Sequence, residues 1–238
     1  MCIFDYGKVK DPEYFSEGRC EAHSDHVVYA SWEEYREKKS SFYVSLDGLW
    51  KFAYARNYGQ AVPGFEAPAF DCSGWDDIRV PASIQMEGWD IPQYVNVQYP
   101  WDGREEIVPG EIPEKFNPVA SYVKVFTVPE RMKKHRLFLS FQGAESGLAV
   151  WMNGNFVGYS FHRRILRSLL MCGKGKISWR CRCLNGPLRA GARIRIFTGF
   201  LDCTGACICM QYRKFMYRIS GFRRFWMKNM RMPGWISG

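Results

Sequence analysis

The sequence predicts an all-β protein with the architecture of a β-sandwich or jelly roll. Short segments alternate between apolar and polar residues, turns rich in Gly, Pro and Asn separate them, and almost no helical period is present. The 238 residues are enough for one ordinary domain with an appendage. They are too few for a sandwich together with a complete α/β barrel, which alone typically needs about 250 residues.

One short helix is expected near the N-terminus, within residues 30–39. Ser31 is a suitable N-cap, and Glu34 follows it at the spacing of a capping box.

The first strand is predicted in residues 45–55, where three aromatic side chains alternate with other residues. Trp50, Phe52 and Tyr54 share one face of this strand, so that face should look into a core. Further strands are predicted at residues 121–128, 136–141, 148–152 and 155–159. The dipeptide Asn153-Gly154 joins the last two and favours a type I′ hairpin turn.

The composition changes abruptly after Ser160. The tail, residues 161–238, holds 17 of the 33 Lys and Arg residues but one acid, Asp202, so its net charge is +16 against −7 for the remainder. Six of the nine Cys residues also lie there. The sequence therefore predicts three parts, an N-terminal extension (1–40), a partial sandwich domain (41–160) and a disordered tail (161–238).

A long loop rich in Pro and aromatic residues runs from Pro81 to Pro118. A loop of this length in a compact domain is usually functional or packs against a neighbour. Its mixture of rings and polar groups suits sugar recognition. The alternative is a structural crossover whose aromatic side chains cover the edge of the sandwich.

Four ordered segments of the chain resemble the N-terminal sugar-binding domain of glycoside hydrolase family 2, in particular the large β-galactosidases. Residues 45–52 resemble the opening strand of that domain, and residues 80–100, with Tyr-Val-Asn-Val-Gln-Tyr-Pro, resemble its long loop. Residues 117–122 resemble the entry to the next strand, and residues 141–160 the central hairpin. The resemblance implies a jelly-roll sandwich, in agreement with the strand pattern.

The resemblance also implies roles for residues. Asn96 occupies the position that reaches the galactosyl subsite in the family, and an amide suits vicinal hydroxyls. Both catalytic carboxylates of this retaining family belong to the barrel domain, so no catalytic residue is expected here. The resemblance implies an oligomeric parent enzyme that uses Mg and Na, as some relatives do, through residues outside this chain, and we expect no metal or cofactor site in this chain.

Other candidate groups receive structural interpretations. The loop acids are expected to be solvated or capping groups; they are Glu87, Asp90, Asp102, Glu105 and Glu106. His23, Asp25 and His26 could bind a metal but fit a polar N-terminal segment better, and the Cys spacings of the tail match no zinc motif. With no export signal, no apolar run that could span a membrane and an odd number of Cys residues, a cytoplasmic protein with reduced thiols is expected.

The tail fits a frameshifted translation. Codons compatible with residues 176–186, read from their third base, give Asn-Leu-Leu-Ala-Val-Gln-Val-Leu-Lys-Trp, which resembles a family strand. Residues 163–173, 190–195 and 195–205 yield further family-like segments in the proper order under the same shift. Two alternatives stay open. One is a free-standing carbohydrate-binding module. The other is a nucleic-acid-binding protein whose basic, aromatic tail contacts phosphates and bases, although it lacks a known motif.

Overall fold

The computed structural model of the chain describes residues 4–19, 27–91, 103–106, 111–132, 136–141, 143–144, 147–161, 167–170, 176–184, 202–203 and 207–212. The strands are β1 (Ser16–Glu17), β2 (Tyr43–Ser45), β3 (Gly48–Ala55), β4 (Asp76–Val80), β5 (Ala82–Ser83), β6 (Val119–Thr127), β7 (Arg136–Phe141), β8 (Gly147–Met152), β9 (Asn155–Ser160), β10 (Arg167–Leu170), β11 (Lys176–Leu184), β12 (Asp202–Cys203) and β13 (Cys207–Tyr212). The helices are α1 (Trp32–Glu37) and three 3₁₀ turns at Tyr6–Lys10, Tyr58–Gln60 and Glu130–Met132.

Helix α1 begins where the sequence predicts. The Ser31 Oγ accepts a hydrogen bond from the Glu34 N–H at 3.3 Å. The Glu34 carboxylate in turn accepts from the Ala30 N–H at 2.8 Å and from the Ser41 N–H at 3.1 Å. This side chain therefore fixes both the start of the helix and the chain that leaves it.

The strands form two main antiparallel sheets. The larger has seven strands in the order β1-β9-β8-β11-β6-β3-β4, and the smaller has four in the order β10-β7-β13-β2. Strands β5 and β12 form a separate short pair. The described residues are thus rich in strands and poor in helix, and the all-β sandwich prediction is confirmed.

The main core lies between the two sheets. Trp50 and Phe52 of β3 are almost completely buried, and Tyr54 packs partly buried against the same cluster. The predicted aromatic face of this strand is therefore confirmed. Leu139 and Phe141 of β7 enter the cluster from the smaller sheet.

A second apolar cluster covers the outer face of the seven-stranded sheet. Its sheet residues include Val123, Trp151 and Tyr159. Val9, from the N-terminal segment, and Phe65, from the connection between β3 and β4, are buried against them. These two segments form a third layer that covers the sheet.

The hairpin between β8 and β9 has the predicted turn. Asn153 and Gly154 have φ values of 48° and 82°, the left-handed conformation that a type I′ turn requires at both central positions. A Cβ at residue 154 would come within 2.6 Å of the Pro68 side chain, so this position also needs a glycine for space.

Residues beyond 160 contribute strands to both sheets, and the division of the chain into three parts with a disordered tail stays a prediction. Strand β11 lies between β6 and β8, and β13 lies between β7 and β2. Strand pairing uses the N–H and C=O groups that every non-proline residue carries. A segment can therefore hold a central position in a sheet largely irrespective of its side chains.

None of the helices in the described ranges is long and apolar enough to cross a membrane.

Candidate functional site

The predicted sugar contact, Asn96, lies outside the described residues, so its role stays a prediction. The described parts of the long loop are residues 82–91, 103–106 and 111–118. These parts are the two ends of the segment that carries Asn96, and their contacts show how the loop is attached to the sandwich.

The first end of the loop is attached through Trp89. Its N–H donates to the Ile84 carbonyl oxygen at 2.9 Å, which closes a turn. Its ring packs against Phe52 of the core, with a centroid distance of 4.9 Å and an interplanar angle of 59°. The loop thus starts from a rigid aromatic contact with the main core.

Asp90 follows directly and has a structural role. Its Oδ1 accepts from the Ile91 N–H at 2.8 Å, and its side chain is hydrogen-bonded with that of Tyr54. Burial raises the pKa of Tyr54 well above its usual range, and the neighbouring Asp90 carboxylate raises it further. The phenol is therefore a neutral group at physiological pH.

The second end of the loop is closed by Glu105. Its carboxylate accepts from the backbone N–H groups of Glu114 and Lys115 at 3.1 Å and of Phe116 at 2.9 Å. Partial burial by itself raises the pKa of Glu105, but the three N–H donors outweigh it, and the pKa is lowered below its ordinary value. The carboxylate thus clamps residues 103–106 to residues 114–116.

Arg104 strengthens the same closure. Its guanidinium carbon lies 3.6 Å from the centroid of the Phe116 ring.

The interpretation of the loop acids as solvated or capping groups is confirmed for Asp90 and Glu105 by these hydrogen bonds. Glu87 and Glu106 are exposed. Asp102 lies outside the described residues, as do His23, Asp25 and His26. Within the described ranges, no group of three or more His, Cys, Asp or Glu side chains could hold a metal ion.

A cavity that the sequence did not predict opens on the outer face of the seven-stranded sheet. Its volume is about 570 Å³. Aromatic rings and one pair of opposite charges line it, contributed by Phe4, Tyr58, Glu66, Trp151, Phe156 and Arg182. These residues come from four separate parts of the chain, so no local sequence pattern could indicate the cavity.

Residues 43–166 match the family model of the glycosyl hydrolases family 2, sugar binding domain. The chain is similar to the β-galactosidase of Halalkalibacterium halodurans, with 51% identity over 153 residues, which are 64% of this chain and 15% of that protein. It is also similar to the β-galactosidase of Streptococcus thermophilus, with 44% identity over 152 residues and the same coverage. The chain therefore spans about 15% of the length of these relatives.

Two solved structures share the fold. One is a calcium-binding mutant of Bacteroides uniformis beta-glucuronidase 2, with a TM-score of 0.50, 17% identity and coverage of 70% of this chain and 17% of that chain. The other is a beta-glucuronidase from glycoside hydrolase family 2, with a TM-score of 0.50, 14% identity and coverage of 72% and 18%. At this level of identity the likeness concerns the fold alone.

Proposed function

The chain belongs to glycoside hydrolase family 2, and from this premise we propose that it is the sugar-binding domain of a β-galactosidase, an enzyme that hydrolyses terminal non-reducing β-galactosides. The observation that carries this proposal is the 51% identity to a β-galactosidase over 153 residues. Membership of the family does not by itself identify the sugar of the substrate, because β-glucuronidases share the fold. The galactoside substrate rests on the close sequence relatives.

Within this function, Asn96 contributes an amide to the galactosyl subsite. The two ends of its loop support that role, because Trp89 is packed on the core and Glu105 clamps the returning segment. A loop attached rigidly at both ends can present one side chain to a substrate with little loss of conformational entropy on binding.

The catalytic carboxylates belong to another domain of the whole enzyme, so the 238-residue chain by itself is inactive. The whole enzyme is oligomeric and cytoplasmic, and takes its Mg and Na through residues of other domains. The cytoplasmic location rests on the odd number of Cys residues, nine, which fits no complete set of disulfides within the chain.

Residues 161–238 are, in this proposal, translated from a reading frame one base away from that of the family. The match to the family model ends at residue 166. Strand β11 also supports the shift, because it buries Arg180 and Arg182 in the middle of the larger sheet with relative exposures of 3% and 5%. The other frame supplies Leu-Leu-Ala-Val-Gln-Val-Leu in this region, and such a pattern is typical of a strand buried on both faces.

The test begins with the nucleotide sequence around codon 160 and a frame-restored gene extended to its next stop codon. We expect the product of that gene to hydrolyse a chromogenic β-galactoside and to leave the corresponding β-glucuronide intact. Hydrolysis of the glucuronide alone would contradict the substrate. A downstream sequence without family segments in any frame would contradict the frameshift.

A further inference from the structure

We propose that the cavity on the outer face of the seven-stranded sheet, between the N-terminal segment, residues 58–66 and the β8–β9 hairpin, binds a neutral monosaccharide ring. None of the described residues of the Asn96 loop, 82–91, 103–106 and 111–118, lines this cavity. The inference rests on the proposed function in one respect, the choice of a sugar as the ligand class.

The size and the apolar part of the cavity suit a small ring. Its volume of about 570 Å³ falls within the range of about 300–1,000 Å³ that is usual for small-molecule sites. Phe4, Trp151 and Phe156 form one aromatic wall, with centroid distances of 5.4–5.8 Å between them. Aromatic walls of this kind provide the surface on which the C–H face of a pyranose packs.

A further aromatic side chain, Tyr58, also lines the cavity. Tyr58 is stacked on Tyr6 with a centroid distance of 3.6 Å and an interplanar angle of 6°. This contact fixes the orientation of the Tyr58 ring before any ligand arrives, so the wall is preorganised.

The polar part of the cavity contains one cation and one anion. Arg182 is held in place because its Nε donates to the Ser121 Oγ at 3.1 Å and its Nη2 donates to the Val62 carbonyl oxygen at 2.7 Å. Glu66, which is half-buried, lines the same space and contributes acceptors. A guanidinium has five N–H donors, and besides these two contacts the Arg182 side chain is hydrogen-bonded with that of Tyr58.

The pair of opposite charges selects against charged ligands. An anion would be attracted by Arg182 but repelled by Glu66. A cation would be attracted by Glu66 but repelled by Arg182. A hydroxyl group both donates and accepts, so a ring that carries several hydroxyls can satisfy both side chains at once. Together with the aromatic walls, this combination favours a neutral sugar over an ionic or a purely apolar ligand.

The donor side of the cavity depends on the reading frame of the tail, and the other parts of its lining do not. The four rings and Glu66 precede Ser160, and Arg182 is the single member of this set from the tail. A frame-restored protein therefore keeps the aromatic walls and the acceptor.

The experiment uses the full 238-residue chain and methyl β-D-galactopyranoside as the probe, with binding measured by saturation-transfer NMR and calorimetry. Gly59 lines the cavity and is exposed, and a Cβ there would meet nothing closer than 3.5 Å. We expect Gly59→Trp to block the cavity and weaken binding at least tenfold, whereas Gly59→Ala, the matched control, leaves it unchanged. Phe156→Ala, which removes part of one wall, should also weaken binding.

Asn96→Ala separates this inference from the proposed function, because it should leave binding to the cavity unchanged. Absence of binding by the chain, equal affinity of Gly59→Trp and Gly59→Ala, or loss of binding in Asn96→Ala would each overturn the cavity site. Preferential binding of p-xylene in place of the sugar would overturn it as well. Failure of the frame-restored enzyme to cleave a galactoside would contradict the proposed function. The cavity site would still be supported if Gly59→Trp blocks binding in the 238-residue chain.

Discussion

At the scale of single residues, Glu105 gives the clearest link between a side chain and the shape of the loop. Its carboxylate accepts from three backbone N–H groups, and its pKa is lowered from the ordinary value of 4.5. A carboxyl group whose pKa is lower in the folded state stabilises the fold fully above its unfolded pKa and loses that effect as the pH falls through the folded pKa. We expect Glu105→Gln to lower the free energy of unfolding at pH 7. The difference in free energy of unfolding between wild type and variant should decrease as the pH falls below about 4.5.

Urea unfolding at a series of pH values measures this effect, and Glu106→Gln is the matched control because its exposed carboxyl group is adjacent. If the difference in free energy of unfolding between wild type and Glu105→Gln is equally large at pH 3 and pH 7, the charge of Glu105 does not stabilise the loop.

Asn96 allows a second prediction at this scale. In the frame-restored, extended enzyme, Asn96→Ala should lower kcat/KM for a β-galactoside by about two- to tenfold, the equivalent of one neutral hydrogen bond. Val97→Ala in the same loop is the control and should have little effect. An unchanged kcat/KM in Asn96→Ala would remove Asn96 from the subsite.

Residue roles were predictable where the partners lie a few positions apart. Ser31 and Glu34 cap a helix that begins at the next residue, and Asn153-Gly154 form a turn whose conformation their side chains dictate. The capping role of Glu105 was predicted, but its partners were not, since they lie nine to eleven residues further along an irregular loop. Only the folded loop brings them together.

At the scale of elements, β11 is the strand whose residues least suit its position. Cys181 and Cys183 enter the core between the sheets, while Arg180 and Arg182 point to the outer cluster. The Arg180 Nη1 donates to the Phe65 carbonyl oxygen, but within the described ranges neither guanidinium lies in an ion pair. Burial lowers the pKa of both groups, which means that the folded state disfavours their charged form.

We therefore predict that the double variant Arg180→Leu, Arg182→Leu is more stable than wild type by about 1 kcal/mol or more, because an apolar pair removes the desolvation cost of two buried cations. Equilibrium unfolding in urea measures the change. Arg79→Leu on β4, at an exposed position, is the matched control and should change the stability little. Destabilisation of the double variant would show that the hydrogen bonds to the covering segment outweigh that cost.

Elements with strong alternation were predictable, and weak ones were not. The aromatic face of β3, the bounds of β7 and, to within one residue, those of β8 and β9 followed from the pattern of apolar residues. Strand β1 has only two residues, too few for an alternating pattern. It forms through its pairing with β9. The partners of β11 could not be predicted from its composition, because its pairing depends on the open edges of β6 and β8, which are distant from it in sequence.

At the scale of the whole molecule, the question is whether this chain can catalyse the reaction of its family. A retaining glycosidase needs two carboxyl groups about 5–5.5 Å apart, and one of them must be a general acid whose pKa is raised so that it is protonated near neutral pH. Among the described acids, the carboxyl groups whose pKa departs from the ordinary value have a lowered pKa, not a raised one. They are Glu33, Glu34, Asp71 and Glu105. An acid with a lowered pKa is ionised at neutral pH and has no proton to donate.

We therefore predict no turnover of a chromogenic β-galactoside by the purified 238-residue chain at any pH from 5 to 8. General acid–base catalysis alone contributes about 10²–10⁴-fold, and the covalent step also needs a positioned nucleophile. If both carboxyl groups lie in another domain, as the proposed function has it, the reaction falls below detection. The frame-restored, extended enzyme, assayed beside it, is the positive control. Turnover by the chain that Glu105→Gln or Asp90→Asn abolishes would place the chemistry in this loop and overturn the assignment of catalysis to another domain. Because Glu105 is held by three N–H groups and Asp90 by Tyr54 and the Ile91 N–H, we expect both variants to change the stability of the loop and neither to reveal an activity.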